Sequence, residues 1–404
     1  MTSADDINWA QSPGEVSFSP ICMNFGDDSF TSTKESEVDV TCKFTTTFSG
    51  LGCHIAFNTL TTAATTITFR KNGANGNSSV TVPAGLTGTF ADTTNTDSLV
   101  SGDKYNAQVS TAAGGTGSLT FGGIGVVASV SGSHTIQYGC AISTNIAVAA
   151  STIYYMGIAG NMTLNTTIQN AEITMGPAGT LLNTQSYVVT NGRSTNTTIR
   201  SRINGANGNI VIVIPGGSTG LFEDTSNSDS IAAGDKVCWE LQTGVGTGTF
   251  AIRRINGNYT ATSGKIATVI AHTLDGIAKS SGQTSRAPLG GCIPPAIAAE
   301  AEVQCRANFP FTATKLRIGV SANSYTGSST CTLRKNGAST ALSITVPAAT
   351  TGIFSDTSNS VDFLGTDLVN YAWSGGTSGL GTVRYYQVDM EDKTPTGSSQ
   401  VIFF

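Results

Sequence analysis

Few residues in this chain have the types and spacings that chemistry requires. Three histidines, His54, His134 and His272, fall one to each third of the sequence. None sits in an HxxxH or HExxH spacing that would bring two imidazoles to one metal. A Gly-x-Ser-x-Gly stretch occurs at 216–220, GGSTG. A nucleophile elbow of that form needs a strand before it and a helix after it. Here the strand-like LFEDT follows, and the equivalent AGLTG (84–88) and AATTG (348–352) put Leu86 and Thr350 where Ser218 stands. A tolerant turn is expected.

The glycine-rich NGANGN at 72–77 and 204–209 lacks the Lys-Ser/Thr and helix start that cradle phosphate, and reads as a hairpin. DTTNTD (92–97) and DTSNSD (224–229) set Asp92, Asn95 and Asp97, or Asp224, Asn227 and Asp229, on one loop. Such hard oxygen ligands suit calcium. They lack a bidentate Glu, the third copy moves the last acid to Asp362, and Asx side chains capping their own turns explain the pattern equally well. Arg70, Arg202 and Arg334 recur at strand ends and are expected to face solvent. No catalytic residue, metal site or cofactor is expected, and the chain is read as non-enzymatic.

The eight cysteines contain no CxxC pair, which disfavours zinc and thioredoxin-type chemistry. Cys22 and Cys292 occupy similar places, as do Cys42 and Cys305, whereas the middle of the chain has no clear cysteine at either. That pattern predicts bridges Cys22–Cys42 and Cys292–Cys305, each worth roughly 3 kcal/mol by loop closure; four buried thiols are the alternative. Cys331 aligns with Ile67 and Ile199, and Cys53 with Leu182 and Leu316, so these two are expected as core thiols. A bridge between Cys140 and Cys238 is left open.

What positions these residues is a repeat. Residues 70–103, 202–235 and 334–367 align without a gap at a period of about 132 residues, with Asn72, Asn204 and Asn336, Pro83, Pro215 and Pro347, Gly88, Gly220 and Gly352, and Asp92, Asp224 and Asp356 in register. Each copy reads as strands: β-branched runs closed by Pro, Asn-Gly hairpins, and turns every 8–12 residues or so. The expectation is an all-β protein of three tandem β-sandwich, jelly-roll-like domains at 1–132, 133–264 and 265–393, followed by a tail at 394–404. The shared RkNG, vtvP, tG.f.DT and GD pattern resembles the jelly-roll repeats of bacteriophage structural proteins and bacterial surface or filament proteins. That resemblance implies a fold and leaves function open.

The tail raises a question of its own. Copy one ends at Ser131-Gly132 and copy two at Ser263-Gly264, each leading into a strand that opens the next copy. Copy three ends at Thr396-Gly397 and leads into SSQVIFF. Gln400, Val401, Ile402, Phe403 and Phe404 therefore read as the opening strand of a fourth domain, while copy one has no recognisable opening strand. An unfilled edge and a spare strand are complementary. Donation between neighbours would be head-to-tail and would propagate a filament. Folding back onto copy three, with residues around Asp6–Gln11 serving copy one, is the alternative.

Composition sets the remaining bounds. Only 12% of residues are charged and the formal net charge is −5, which argues against nucleic acid as the main partner. No apolar stretch reaches the roughly 18 residues of a spanning helix, so membrane insertion is not expected, and no signal peptide is recognisable at the start. The reading is an extracellular filament subunit whose partner is itself. The alternatives are a phage virion component, such as a tail fibre or decoration protein, and a carbohydrate-binding adhesin. The last would display an exposed aromatic platform, although only Trp9, Trp239 and Trp373 are available.

Overall fold

The computed structural model describes residues 21–23, 31–32, 35, 39–112, 117, 119–130, 135–141, 148–161, 164–262, 266–292, 299–307, 309–393 and 398–402. Their regular structure is overwhelmingly strand, with 3-10 turns at Ile168–Asn170 and Glu300–Glu302. Six sheets form, two from each repeat, in a sandwich-like arrangement.

The local sequence explains the strands. Thr65–Lys71, Thr197–Ile203 and Ser329–Lys335 alternate buried and partly exposed positions, the two-residue period of a strand with one face on a core. Each turns back at Asn-Gly. Asn72, Asn204 and Asn336 have φ of 49°, 50° and 50°, and the glycines after them 78° each. Two successive left-handed residues make the type I′ turn that matches strand twist. In every repeat the returning strand closes at Pro, and GGSTG is the turn between Ala206–Ile214 and Gly220–Ile231, with Ser218 N–H donating to the Pro215 carbonyl at 3.1 Å.

In the second repeat one sheet orders as Gly160–Asn161, Thr135–Ala141, Phe250–Ala261, Gly179–Asn191 and Gly220–Ile231. The third repeats it with Gly291–Cys292, Ile266–Ser280, Leu380–Asp392, Phe311–Asn323 and Gly352–Phe363. In the first, Leu119–Val130 and Thr46–Asn58 hold the two central places, and the edge beside Leu119–Val130 is taken by Ser398–Ile402 from the other end of the chain.

Each repeat buries an apolar cluster between its sheets. In the first, Phe48 lies 5.5 Å from Phe69 and 5.1 Å from Tyr105 between ring centroids. Trp239 and Trp373 are core residues, 1% and 0% exposed, so neither belongs to an exposed platform of the kind an adhesin would carry. Trp9 lies outside the described residues.

The cysteine pairing is corrected. Cys42 is a free, buried thiol that donates to the Phe44 carbonyl, and the thiol of Cys305 lies 3.7 Å from the Val303 carbonyl. No disulfide forms among the described residues; the side chains of Cys22 and Cys292 lie outside them. The backbone register gives the reason. Val40, Ile173 and Cys305 pair with Tyr105, Val237 and Val369, which stand one repeat apart. Cys305 therefore replaces an aliphatic, and Cys42 falls two residues later, level with Met175 and Ala307. Cys22 pairs with Gln108 on one sheet, whereas Cys292 pairs with His272 on a sheet of the other type. The two cysteine sets are not equivalent, so their joint absence from repeat two carries no pairing information. Cys238 is also a free, buried thiol.

Cys331 does occupy the place of Ile67 and Ile199, opposite Ile344 as they are opposite Val80 and Ile212. Cys53 is buried as expected, though its partner Phe90 aligns it with Ser186 and Ile318 rather than with Leu182 and Leu316.

Candidate functional site at the strand-exchange edge

The motifs that looked capable of chemistry are hydrogen-bonded into the scaffold. Asp92 accepts from the N–H groups of Ser79, Thr94 and Asn95 at 3.0–3.1 Å and from the Asn95 amide at 2.9 Å. Asp224 and Asp356 make the same set with Val211, Ser226 and Asn227, and with Ser343, Ser358 and Asn359. Burial alone would raise these carboxyls, but the converging donors outweigh it and hold all three below the usual range. Both oxygens face N–H dipoles, which is turn capping and not a cation cage.

The NG and GD motifs explain each other. The Asn72 amide donates to Asp103 Oδ1 at 2.7 Å and its Oδ1 accepts from Lys104 N–H at 2.8 Å; Asn204–Asp235 and Asn336–Asp367 repeat the clasp at 2.7 Å each. The recurrent arginines are not solvent-facing as expected. Arg70 forks onto Glu35 at 3.0 and 3.1 Å, Arg334 onto Glu300 at 2.7 and 2.9 Å, and Arg202 reaches Glu240 at 3.0 Å. Each also donates to the carbonyl of the hairpin glycine, Gly73, Gly205 or Gly337. A third clasp escaped the sequence reading. Asn58, Asn191 and Asn323 each donate to the strand-closing Pro83, Pro215 or Pro347 carbonyl at 2.9–3.1 Å. Its only signal was an Asn recurring at the repeat period. His54 Nδ1 lies 3.1 Å from Thr89 Oγ1 across a strand pair.

What remains is the edge where repeats exchange strands. Thr135–Ala141 opens repeat two and pairs antiparallel with its Phe250–Ala261. Ile266–Ser280 opens repeat three and pairs with its Leu380–Asp392. Ser398–Ile402 leaves repeat three and pairs with Leu119–Val130 of repeat one. The three slots correspond. Gln137 faces Asn258, Thr268 faces Asp389 and Val401 faces Val127, and these three partners hold one position of the repeat. Of the tail residues singled out from the sequence, Gln400, Val401 and Ile402 lie in this strand. Phe403 and Phe404, and the candidate copy-one strand around Asp6–Gln11, lie outside the described residues. The fold-back alternative placed the tail on repeat three; its ladder partner here is repeat one of the same chain.

Seams accompany the exchanges. Gln185 of repeat two brackets Thr41 of repeat one, donating to its carbonyl at 3.1 Å and accepting from its N–H at 3.4 Å, while Lys43 pairs with Glu223 at 2.8 Å. Buried Arg254 donates to Asn256 at 2.9 Å; burial brings its pKa down to about 10, against the pull of Asp39 and Tyr105 in repeat one. At the next seam Gln387 donates to the carbonyl of Thr174, the equivalent of Thr41, and Gly176 N–H donates to Thr268 at 3.1 Å. The two glutamines belong to one cross-strand pair, Gln185–Asn256 in repeat two and Arg317–Gln387 in repeat three. In repeat one that pair is Gly52–Gly125. At this closing seam Glu300–Glu302 approaches Thr46–Asn58, and Val127 joins the buried cluster of repeat three.

No protein-family model matches the chain, and comparison with curated proteins finds no match. Among solved structures, the major capsid protein P2 from Bacteriophage PM2 is similar at 7% identity and a TM-score of 0.18, over 65% of this chain and 100% of that one. PNGF-II is similar at 6% identity and a TM-score of 0.20, over 83% of this chain and 99% of that one. Both are weak structural neighbours, and at such scores neither bears on fold or function.

Proposed function

We propose that the chain is a non-enzymatic structural subunit of an extracellular assembly, at a cell surface or in a virion, whose repeat one is completed by its own C-terminal strand. The observation that carries this is the pairing of Ser398–Ile402 with Val126–Val130, on the strand whose counterparts in the other two repeats pair with Thr135–Ala141 and Ile266–Ser280. A C-terminal strand seated on repeat one of the same chain, with a seam where Val127 joins the buried cluster of repeat three, favours a subunit closed on itself. Tethering adds to this, since a strand held on the same chain meets its slot at a millimolar-scale effective concentration. The assignment of acids, arginines and amides to capping and clasping supports a structural role over a catalytic one. Among the described residues no helix is long and apolar enough to cross a membrane.

Donation of the same strand to the next copy is the second reading. It uses the same slot and differs only in which chain supplies the strand, and it would give a head-to-tail filament. Negative-stain microscopy with mass measurement separates the two. Discrete particles of one chain support the closed subunit, and long fibres support donation. Fibres that persist after deletion of 397–404 would overturn any role for the strand. No nucleic acid or cofactor enters either form.

A further inference from the structure

We propose that the residue pair at one register position of the exchanged strands is a matching code that sends the C-terminal strand to repeat one and keeps it out of repeats two and three. This rests on the strand-completion reading above and specifies its partner choice. The three slot residues are Val127, Asn258 and Asp389, which are 9%, 2% and 0% exposed. The residues directly opposite them are Val401, Gln137 and Thr268. By register, valine stands opposite valine, glutamine opposite asparagine and threonine opposite aspartate. Opposed residues of an antiparallel pair share one face of the sheet, so this is where a mismatch is felt most.

The third pair shows the cost of a mismatch. Thr268 Oγ1 donates to Asp389 Oδ1 at 2.9 Å, which also receives Arg317 at 3.2 Å, while Lys315 stands 3.6 Å from Oδ2. A valine there would take a donor away from a fully buried carboxylate. An amide or hydroxyl set opposite Val127 would be desolvated at a seam where repeat one offers Gly52 and Gly125 in place of the hydrogen-bonding Gln185 and Asn256. Rejecting the wrong strand by an unmet polar group discriminates more strongly than adding a contact to the right one.

The test uses the full-length chain and amide hydrogen exchange at 126–130 and 398–402, with the strands Phe250–Ala261 and Leu380–Asp392 as internal folding controls. Val127→Asn and Val401→Gln should each lower protection of the tail ladder by about tenfold or more. The double variant, which copies the Asn258–Gln137 pair, should recover much of it. Val401→Gln alters only the end of the chain, so its result does not depend on how a core substitution folds. Additive losses in the double variant, or single variants indistinguishable from the unaltered chain, would overturn the code while leaving strand completion in place. An unaltered chain whose tail amides are unprotected would remove strand completion and the code with it.

Discussion

Val401 is the register partner of Val127, although one residue belongs to the C-terminal tail and the other to repeat one. The pair gives repeat one, from the C-terminal tail, the edge strand that Thr135–Ala141 and Ile266–Ser280 give repeats two and three. Without this strand, Leu119–Val130 is an open edge with unpaired backbone groups. Deletion of 397–404 should therefore destabilise repeat one selectively, by a few kcal/mol at about 1 kcal/mol for each ladder hydrogen bond lost. Hydrogen exchange should quicken along Thr46–Asn58 and Leu119–Val130 and stay slow along Gly179–Asn191 and Phe311–Asn323. Uniform loss across all three repeats would contradict the assignment.

The Asn–Asp clasp should be the most costly exposed motif to remove. Asn204 holds φ at 50° and spans Asp235 at 2.7 Å and Lys236 N–H at 2.9 Å. Asn204→Ala loses both hydrogen bonds and strains the left-handed position, with an expected cost of about 2–3 kcal/mol. Asn204→Gly loses the bonds alone and should cost less. Thermal denaturation should rank the unaltered chain above Gly, and Gly above Ala.

Stability should fall steeply in acid. Hydrogen bonds from Val100 N–H and then Asn72 bring the Asp103 carboxyl down to about 2, and Asp92, Asp224, Asp356 and Asp367 are lowered as well. A carboxyl with a depressed folded pKa adds stability above its unfolded value near 4, and that contribution disappears as pH falls through the folded value. Asp389 has the opposite sign. Burial raises it, so its contribution is fullest below the unfolded value and is lost as pH rises through the folded one. Melting temperature should drop between about pH 4 and pH 2, and the Asp103→Asn variant should show a shallower drop.

The repeat, the strands and the hairpins were legible because each has a local signature: Asn-Gly, and a β-branched run closed by Pro. The cysteines were not. Gly50, Asn183 and Lys315 all adopt positive φ, at 61°, 51° and 53°, where a bulge shifts the register. That bulge is common to all three repeats and leaves their alignment unchanged. The offset changes in the loop after Asn58, where 58–65 is one residue longer than 191–197 and 323–329, and matching by residue type sets Cys42 against Cys305 although they stand two positions apart. The arginines misled for another reason. Their carboxylate partners Glu35 and Glu300 stand more than thirty residues away, which no local pattern reveals.

The thiols should behave as core atoms. Burial pushes Cys53 and Cys238 up to about 12 and raises Cys42 and Cys331. A thiol-reactive reagent at pH 8 should label these four slowly in the native protein and quickly in denaturant. Cys331→Ile should be within about 1.5 kcal/mol of neutral, because Ile67 and Ile199 fill that place in the other repeats.

Gly176 fixes how closely repeats two and three approach. A Cβ there would sit 2.0 Å from both carboxylate oxygens of Asp389, far inside contact distance. Asp389 is fully buried and held by Arg317 and Thr268, so it cannot swing aside as a surface acid would. Overpacking of this kind typically costs 1–3 kcal/mol or so. Gly176→Ala should therefore lower the melting temperature and speed exchange at Ile266–Ser280, whose Thr268 also accepts from Gly176 N–H. In repeat one the same place is held by Lys43, which finds room and pairs with Glu223. Asp389→Ala by itself should also destabilise, since Arg317 would lose its buried partner. Combined with Gly176→Ala it removes the clash, so the double variant should be more stable than the two single losses added together. A strictly additive double variant would mean that the two residues do not meet, and that the seam between these repeats is set elsewhere.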